Sequence, residues 1–211
     1  MSRKTAFLIL IAIAATLIPV LAQAGEEGPS WYLIEGESEI EIGEEPIALE
    51  EQAGVSALTI TLANGFTIGP CGMKRNATIW NDAKGVGQDS TTTVTLTVPC
   101  KTSTAGCEAT TATAEGLPWS STLTDMAGTP YDQIGTKAKP MIFKFKFNLG
   151  CGALSGATVT ATATAPVLAK QTGKGCFSYD KAGPFDTTLG IQATIDGEDC
   201  PMHDGKKIKA K

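Results

Sequence analysis

The feature that most constrains this chain is a strict alternation of threonine with apolar residues. The segment 91–107, TTTVTLTVPCKTSTAGC, places Val94, Leu96 and Val98 at every second position. In an extended chain successive side chains point to opposite faces, whereas a helix would scatter these residues around its axis. Valine and threonine are also β-branched and suit a pleated surface. The segment therefore predicts a half-buried β-strand that ends by Pro99, because proline cannot donate a ladder hydrogen bond.

Two further segments alternate as clearly. The segment 141–147, MIFKFKF, predicts that its phenylalanines fill the core while its lysines face water. The segment 157–165, ATVTATATA, repeats the threonine alternation with small inward residues, which suit a position beside bulky rings. Shorter β-like runs are expected at 35–41, 57–62, 66–68, 76–80, 108–115, 119–124 and 187–195.

Turn signals separate these runs. Asn64-Gly65 lies between two of them and predicts a hairpin, because both residues tolerate positive φ. The glycine-rich segment 82–89 predicts a loop, the segment 131–136 is ambiguous, and a last short strand is expected around Ile208. No segment after the N-terminal region has a helical period. The pattern predicts an all-β fold, an antiparallel β-sandwich or barrel-like single domain.

The first residues predict export. Arg3 and Lys4 precede an apolar run at 6–21, and Ala22-Gln23-Ala24 supplies the small residues of a cleavage site. This is the pattern of a secretory signal peptide at residues 1–24, and the run is shorter than the ~20 residues of a membrane-spanning helix. We therefore expect a secreted or cell-envelope β domain at 25–211 without a membrane span. Residues 25–53 form an acidic segment expected to pack on it through Trp31 and Tyr32.

The cysteines predict a disulfide framework, because an even number in an exported chain is typical of one. They are Cys71, Cys100, Cys107, Cys151, Cys176 and Cys200. Many connectivities are compatible with six cysteines. Our predicted pairs are Cys100–Cys107 across a short turn and Cys176–Cys200, which leaves Cys71–Cys151.

The charge is mildly acidic, with 17 Lys and Arg against 22 Asp and Glu and a formal net charge of −5. This balance argues against nucleic acid as a partner, since nucleic-acid binding relies on basic surfaces. Within the acidic segment, Glu35, Glu37, Glu39 and Glu41 alternate with other residues and predict a strand with one charged face. That face is interpreted as solvated, with cation binding as the alternative.

Several motifs together resemble a family of exported actinobacterial proteins. They are Trp31-Tyr32, ALTITL at 57–62, PCGM at 70–73, ATIWN at 77–81, the strand into Cys100 with Cys107 seven residues later, AEGLPWSSTLT at 114–124, and the ending DGKKIKAK. The resemblance covers most of the chain after the signal peptide. It implies export and an all-β fold. It implies no activity, cofactor or partner, because none is established for that family.

The motifs that carry chemistry are sparse. A Ser-His-Asp hydrolase would have to use His203, the only histidine, and no G-x-S-x-G sequence surrounds a serine. Cys200 and His203 have the C-x-x-H spacing of half a zinc site, but disulfides account for the same cysteines. The tail also carries carboxylates of the kind that calcium prefers, without EF-hand spacing. These are Asp196, Glu198, Asp199 and Asp204.

The threonine ladders are the most unusual surface feature that the pattern predicts. They comprise Thr93, Thr95, Thr97, Thr158, Thr160, Thr162 and Thr164. Rows of hydroxyl and methyl groups suit binding of polysaccharide or ice, although threonine is also a favourable residue for any exposed strand face. We therefore expect a non-catalytic binding or structural module without a cofactor, whose partner is cell-wall polysaccharide or another surface protein. The alternatives are a carbohydrate- or ice-binding protein that uses these ladders, and a secreted hydrolase.

Overall fold

The structure is a computed structural model that describes residues 28–51, 54, 56–173 and 175–211. Strands dominate these residues, and the one helical element among them is a 3-10 turn at Gly152–Leu154. The strands are β1 (Trp31–Glu35), β2 (Ser38–Glu41), β3 (Ile47–Glu51), β4 (Ala57–Leu62), β5 (Thr67–Asn81), β6 (Gly87–Leu96), β7 (Cys100–Lys101), β8 (Glu108–Glu115), β9 (Trp119–Asp125), β10 (Pro130–Ile134), β11 (Ile142–Phe147), β12 (Thr158–Ala163), β13 (Val167–Gln171), β14 (Phe177–Ser178), β15 (Ala182–Thr187), β16 (Gln192–Asp199), β17 (Pro201–His203) and β18 (Lys206–Ala210). The all-β prediction is confirmed. The predicted signal peptide at 1–24 lies outside the described residues.

The strand pairings close into a ring. Four pairs of strands run end to end along the same neighbours and so form single lanes, namely β8/β9, β10/β11, β12/β13 and β14/β15. In sequence order the lanes are β4, β5, β6, β8/β9, β10/β11, β12/β13, β14/β15 and β16, and β16 pairs with β4 to complete the ring. Every pairing is antiparallel. Of the two predicted architectures, the pairings are therefore those of an up-and-down barrel.

The inward side chains of the alternating strands fill the barrel interior, as the sequence predicts. The phenylalanines of β11 are at most 2% exposed, whereas Lys146 between them is exposed. Phe143 lies opposite Ala161 of β12 and packs edge-on against Trp119 with ring centroids 5.6 Å apart. A ring of this size leaves room for side chains and little else, so small residues must face large ones.

A second, smaller sheet unites the two ends of the described chain. Its strand order is β2, β1, β18, β17 and β3, and we call it the terminal sheet. It joins the barrel through β3, which pairs with β5. Trp31 is fully buried and packs edge-on against Phe177 at 5.5 Å. The buried Asn81 amide accepts from the Trp31 N–H at 2.7 Å and donates to the Ile42 carbonyl at 2.6 Å, so it fixes the first hairpin to β5.

Several local predictions are wrong. The predicted loop at 82–89 is shorter, because β6 begins at Gly87. The residues 35–41 form a hairpin between β1 and β2 instead of one strand, because Gly36 adopts a φ of 63° and reverses the chain. The residues 187–195 contain a turn in which the Gly190 N–H donates to the Thr187 carbonyl at 2.9 Å. Val98 is 42% exposed, because β6 ends at Leu96. The ambiguous segment 131–136 is strand through Ile134.

All of the cysteines form disulfides, but two predicted pairs are wrong. The bonds are Cys71–Cys100, Cys107–Cys151 and Cys176–Cys200. Only the last pair matches the prediction. The other two bonds follow from which strands are neighbours. Ile68 of β5 bridges to Thr102, two residues after Cys100, and Phe147 of β11 pairs with Ala109, two residues after Cys107. Proximity along the chain therefore misled the prediction, because cross-strand neighbours lie closer in space.

Within the described ranges, no helix has the length and apolar character needed to cross a bilayer.

Candidate binding face

The two predicted threonine ladders lie on the outer side of the barrel, three lanes apart. Residues directly opposite each other in an antiparallel pair point to the same side of the sheet. Lys74 of β5 pairs with Thr95 of β6, and Thr95 pairs with Thr113 of β8. Lys144 of β11 pairs with Thr113 on one side and with Thr160 of β12 on the other. These five side chains therefore form one row across five lanes.

Parallel rows extend the same surface. Lys146 lies between Thr111 and Thr158, and Ile142 lies between Glu115 and Thr162. Along the curved sheet, with lanes about 4.8 Å apart, the two ladders are about 14 Å from each other. We call this surface the threonine face. It comprises Thr93, Thr95, Thr97, Thr111, Thr113, Thr158, Thr160 and Thr162, with Lys144 and Lys146 between the ladders.

The hydroxyl groups of this face are available to a ligand. Thr93, Thr95, Thr97 and Thr158 are exposed, and Thr160 and Thr162 are half-buried. Among the described residues, none of the threonine hydroxyls of the face forms a hydrogen bond with another protein group. The only predicted member outside it is Thr164, which follows the end of β12 and donates its hydroxyl to the Pro184 carbonyl at 3.1 Å.

Thr111 and Thr113 were missed by the sequence analysis, although they stand between the two ladders. Both are exposed on β8, in the segment EATTATAE. The signal for them was the alternation at 108–115, which predicts a strand. The adjacency of β8 to β6 and β11 is what makes them part of the face. That adjacency is a property of the sheet order, which no local pattern contains.

A depression of about 460 Å³ borders the threonine face on the side of β15, β16 and β4. Gln192 on its wall pairs with Asp186, which in turn pairs with Thr162 of the face. The Asp196 carboxylate in the depression accepts the backbone N–H of Lys181 at 2.9 Å. The lining residues are Thr61, Leu62, Ala63, Gly65, Lys181, Pro184, Gln192, Ala193, Thr194 and Asp196. The depression thus offers a carboxylate, an amide, an amine and two hydroxyls beside an apolar edge.

The barrel interior holds a second set of ionisable groups, which we call the buried ionic cluster. Arg75 is 3% exposed, and its Nη1 lies 3.0 Å from Asp89 Oδ2 while its Nη2 lies 2.8 Å from Asp199 Oδ2. Arg75 Nη1 also donates to the Thr91 hydroxyl at 3.2 Å. Asp132 completes the cluster and is 1% exposed. The cluster is enclosed by the lanes, so it has no direct access to a ligand in solvent.

The pKa of Asp132 is raised from 3.8 to about 7, chiefly by burial and also by the charge of Asp89, while Arg75 and the Ser121 hydroxyl act in the opposite direction. Three carboxyl groups face one guanidinium, so a proton on Asp132 reduces the excess of negative charge. No motif or spacing in the sequence predicted this cluster. Alternation could have indicated that Arg75 is buried, because it lies on the same side of β5 as Ala77 and Ile79.

The other candidate residues are not brought together. His203 Nδ1 lies 2.6 Å from the Ala48 carbonyl, and its Nε2 lies 3.4 Å from Asp204 Oδ2. In the part of the chain that the structure describes, no serine hydroxyl is hydrogen-bonded to His203. Cys200 is bonded to Cys176, so its sulfur is not a free thiolate ligand for zinc.

The tail carboxylates do not form one calcium site either. Asp199 points into the barrel toward Arg75, whereas Asp196 lines the depression on the outer surface. Glu198 is also exposed. The prediction grouped them by sequence, but alternation along β16 sends their side chains to opposite faces. Comparisons with protein-family models, with curated proteins and with solved structures found no significant match to this chain.

Proposed function

We propose that this protein is a secreted or cell-surface, non-catalytic module that binds polysaccharide through the threonine face. The observation that carries the proposal is the union of two distant sequence segments, 93–97 and 158–162, on one outward surface. Their hydroxyls have no competing hydrogen bonds among the described residues. A hydroxyl both donates and accepts, which suits the hydroxyls of a sugar.

The barrel supports such binding because it presents the rows without reorganisation. The phenylalanines behind the face are fully buried, and the strands that carry it are paired on both sides. A preorganised surface avoids part of the entropic cost of ordering its groups on binding. Each hydrogen bond contributes about 0.5–1.5 kcal/mol net, so an extended ligand that meets several rows at once is favoured over a small one.

Ice is a less suitable ligand than polysaccharide for this surface. A flat crystal lattice requires an even array of short side chains. Lys144 and Lys146 stand between the ladders, and their four-carbon stems extend beyond the neighbouring threonine methyls. The depression adds to the case for polysaccharide, because Gln192, Thr194 and Asp196 offer hydrogen-bonding groups to one sugar residue at the border of the face.

Export is supported by the same structure. Three disulfides link β5 to β7, the residue before β8 to the segment after β11, and the residue before β14 to the residue after β16. Disulfides of this kind persist in oxidising compartments and are rare in the cytosol. Together with the expected signal peptide they favour a protein that acts outside the cell or in its envelope.

The proposal is tested by removing hydroxyls from one row. The variant Thr95→Val/Thr113→Val/Thr160→Val keeps β-branched side chains on the strands and removes three hydroxyls. We expect affinity for the polysaccharides that the wild type retains in a pull-down panel to fall about 10- to 100-fold. The control is Thr122→Val/Thr124→Val, which alters the outward side of β9 and also removes the hydrogen bond from the Thr122 hydroxyl to Gln88 Oε1. Unchanged affinity of the triple variant would contradict the proposal, as would a wild type that binds no polysaccharide.

The non-catalytic part has its own test. The bound polysaccharide is incubated with the wild type and assayed for new reducing ends. We expect none. Release of reducing ends by the wild type, abolished in His203→Ala, would establish the hydrolase alternative instead.

A further inference from the structure

Charge is distributed unevenly over this acidic chain. Seven carboxylates lie in the segment 28–50, at Glu35, Glu37, Glu39, Glu41, Glu44, Glu45 and Glu50. In the terminal sheet, Glu39 is paired with Lys209 at 2.7 Å and with Lys211 at 3.2 Å, and hydrogen bonds from both lysines lower the pKa of Glu39. These residues lie on the strands of the terminal sheet or in the turns between them, and Lys206 of β18 also pairs with Glu35 at 3.1 Å.

The threonine face has the opposite balance. Its rows carry Lys74, Lys144 and Lys146, with Glu115 in the row of Thr162 and the exposed Asp186 at the β15 end of that row. Lys144 Nζ lies 2.6 Å from Glu115 Oε1, so this pair is locally neutral. Lys74 and Lys146 are exposed and form no ion pair with any described residue. The face therefore carries unpaired positive charge among hydroxyl groups at Lys74 and Lys146, and a negative charge at its β15 edge from Asp186.

We infer that the ligand of the threonine face is an acidic polysaccharide with carboxylates on its sugars, a polyuronate. This inference rests on the proposed function and names its ligand class. Lys146 is flanked by Thr111 and Thr158, so an ammonium group and hydroxyls on both sides meet one ligand segment. That combination matches a uronate residue, which carries one carboxylate beside its hydroxyls.

Other polyanions fit the face less well. Phosphate groups are preferentially recognised by arginine, and the only arginine in the described part of the chain is Arg75, which is buried. Nucleic-acid binding further requires a broad basic surface and often aromatic stacking platforms. The chain has a net charge of −5, and the residues that define the face include no aromatic side chain.

The experiment measures binding of the mature protein to sodium polygalacturonate by calorimetry, with neutral dextran, poly(glycerol phosphate) and duplex DNA as comparison ligands. The test variant is Lys74→Gln/Lys146→Gln. The matched control is Lys84→Gln/Lys170→Gln, which removes two exposed lysines that belong to none of the rows. Because exposed ion pairs contribute little individually, we expect each face lysine to account for about a two- to fivefold change in affinity.

Polygalacturonate is expected to bind more tightly than the other three ligands. Its affinity should fall in the face variant but not in the control, and it should also fall as salt is raised toward 0.15 M. Dextran bound as tightly as polygalacturonate would overturn the inference and leave the proposed function in place. Equal binding of poly(glycerol phosphate) or DNA would also overturn it, since the face would then attract any polyanion. Failure of every polysaccharide would overturn both proposals.

Discussion

One half of the barrel interior, behind β8, β11, β12 and β15, is filled by phenylalanine rings, whereas the other half, behind β9 and β10, holds the buried ionic cluster. In the first half Phe143, Phe145 and Phe147 contact alanine and valine on the next lane. In the second half Arg75 is held between Asp89 and Asp199. The same alternation of inward and outward residues builds both halves, yet the inward groups differ in chemistry.

The two halves differ in how strictly each inward side chain depends on a particular partner. Apolar packing is non-directional, so rings of similar volume are interchangeable at moderate cost. A buried charge is tolerated only with its partners in place, because transfer of an unpaired ion from water is costly. Arg75 draws its partners from β6 and β16, on either side of the ring. The charged half therefore depends on the closure of the barrel more than the apolar half does.

The largest expected effect comes from removing the shared cation of the charged half. Arg75→Met leaves Asp89 and Asp199 buried without their guanidinium and is expected to lower the free energy of unfolding by about 3–5 kcal/mol. Urea denaturation at pH 7 measures this loss. The control is the triple variant Arg75→Met/Asp89→Asn/Asp199→Asn, in which the charges of Asp89 and Asp199 are removed together with that of Arg75 and much of the stability should return. A single variant as stable as the wild type would show that the ion pairs are dispensable.

Asp132 gives the next prediction, a pH dependence. Its pKa in the folded protein is about 7, against 3.8 for an ordinary aspartate. The folded protein therefore holds a proton that the unfolded chain releases, and this contribution is complete below about pH 4 and lost as the pH rises to about 7. It amounts to at most about 4 kcal/mol. Asp132→Asn carries no charge at this position, so it should be more stable than the wild type at pH 8. Its free energy of unfolding should also lack the fall between about pH 4 and pH 7 that Asp132 causes.

The measurement for Asp132 is denaturant unfolding at pH 4, 6 and 8 for both proteins. The difference between the wild type and Asp132→Asn isolates this residue from the other titrating groups. Two parallel stability profiles would mean that Asp132 does not take up a proton on folding.

The smallest effect is expected in the apolar half. Phe145→Leu keeps an apolar side chain of similar length and should cost about 1–1.5 kcal/mol. Because no charge is involved, the loss should be the same at pH 4 and at pH 8. Thermal unfolding at both pH values tests this, with Arg75→Met beside it. A loss for Phe145→Leu as large as that for Arg75→Met would remove the distinction between the two halves.

The candidate site was only partly accessible from the sequence. Alternation predicted that Thr93, Thr95 and Thr97 and the second ladder from Thr158 would point outward, and the structure places them so, apart from Thr164 beyond the strand end. The lysines of β11 were also predicted to face water. That these groups share one face depends on β8 and β11 lying between β6 and β12. Lane order is a long-range property, so no window of the sequence reports it.

By itself the sequence determined the period of two, and with it the strands, the inward phenylalanines and the outward threonines. The physical reason is local, since the pleat sends successive side chains to opposite faces whatever the rest of the chain does. Only the tertiary structure decided the closure of β16 on β4, the pairing of Cys71 with Cys100, and the meeting of Arg75 with Asp199. Each of these joins residues on different lanes, and only the closed ring brings those lanes together.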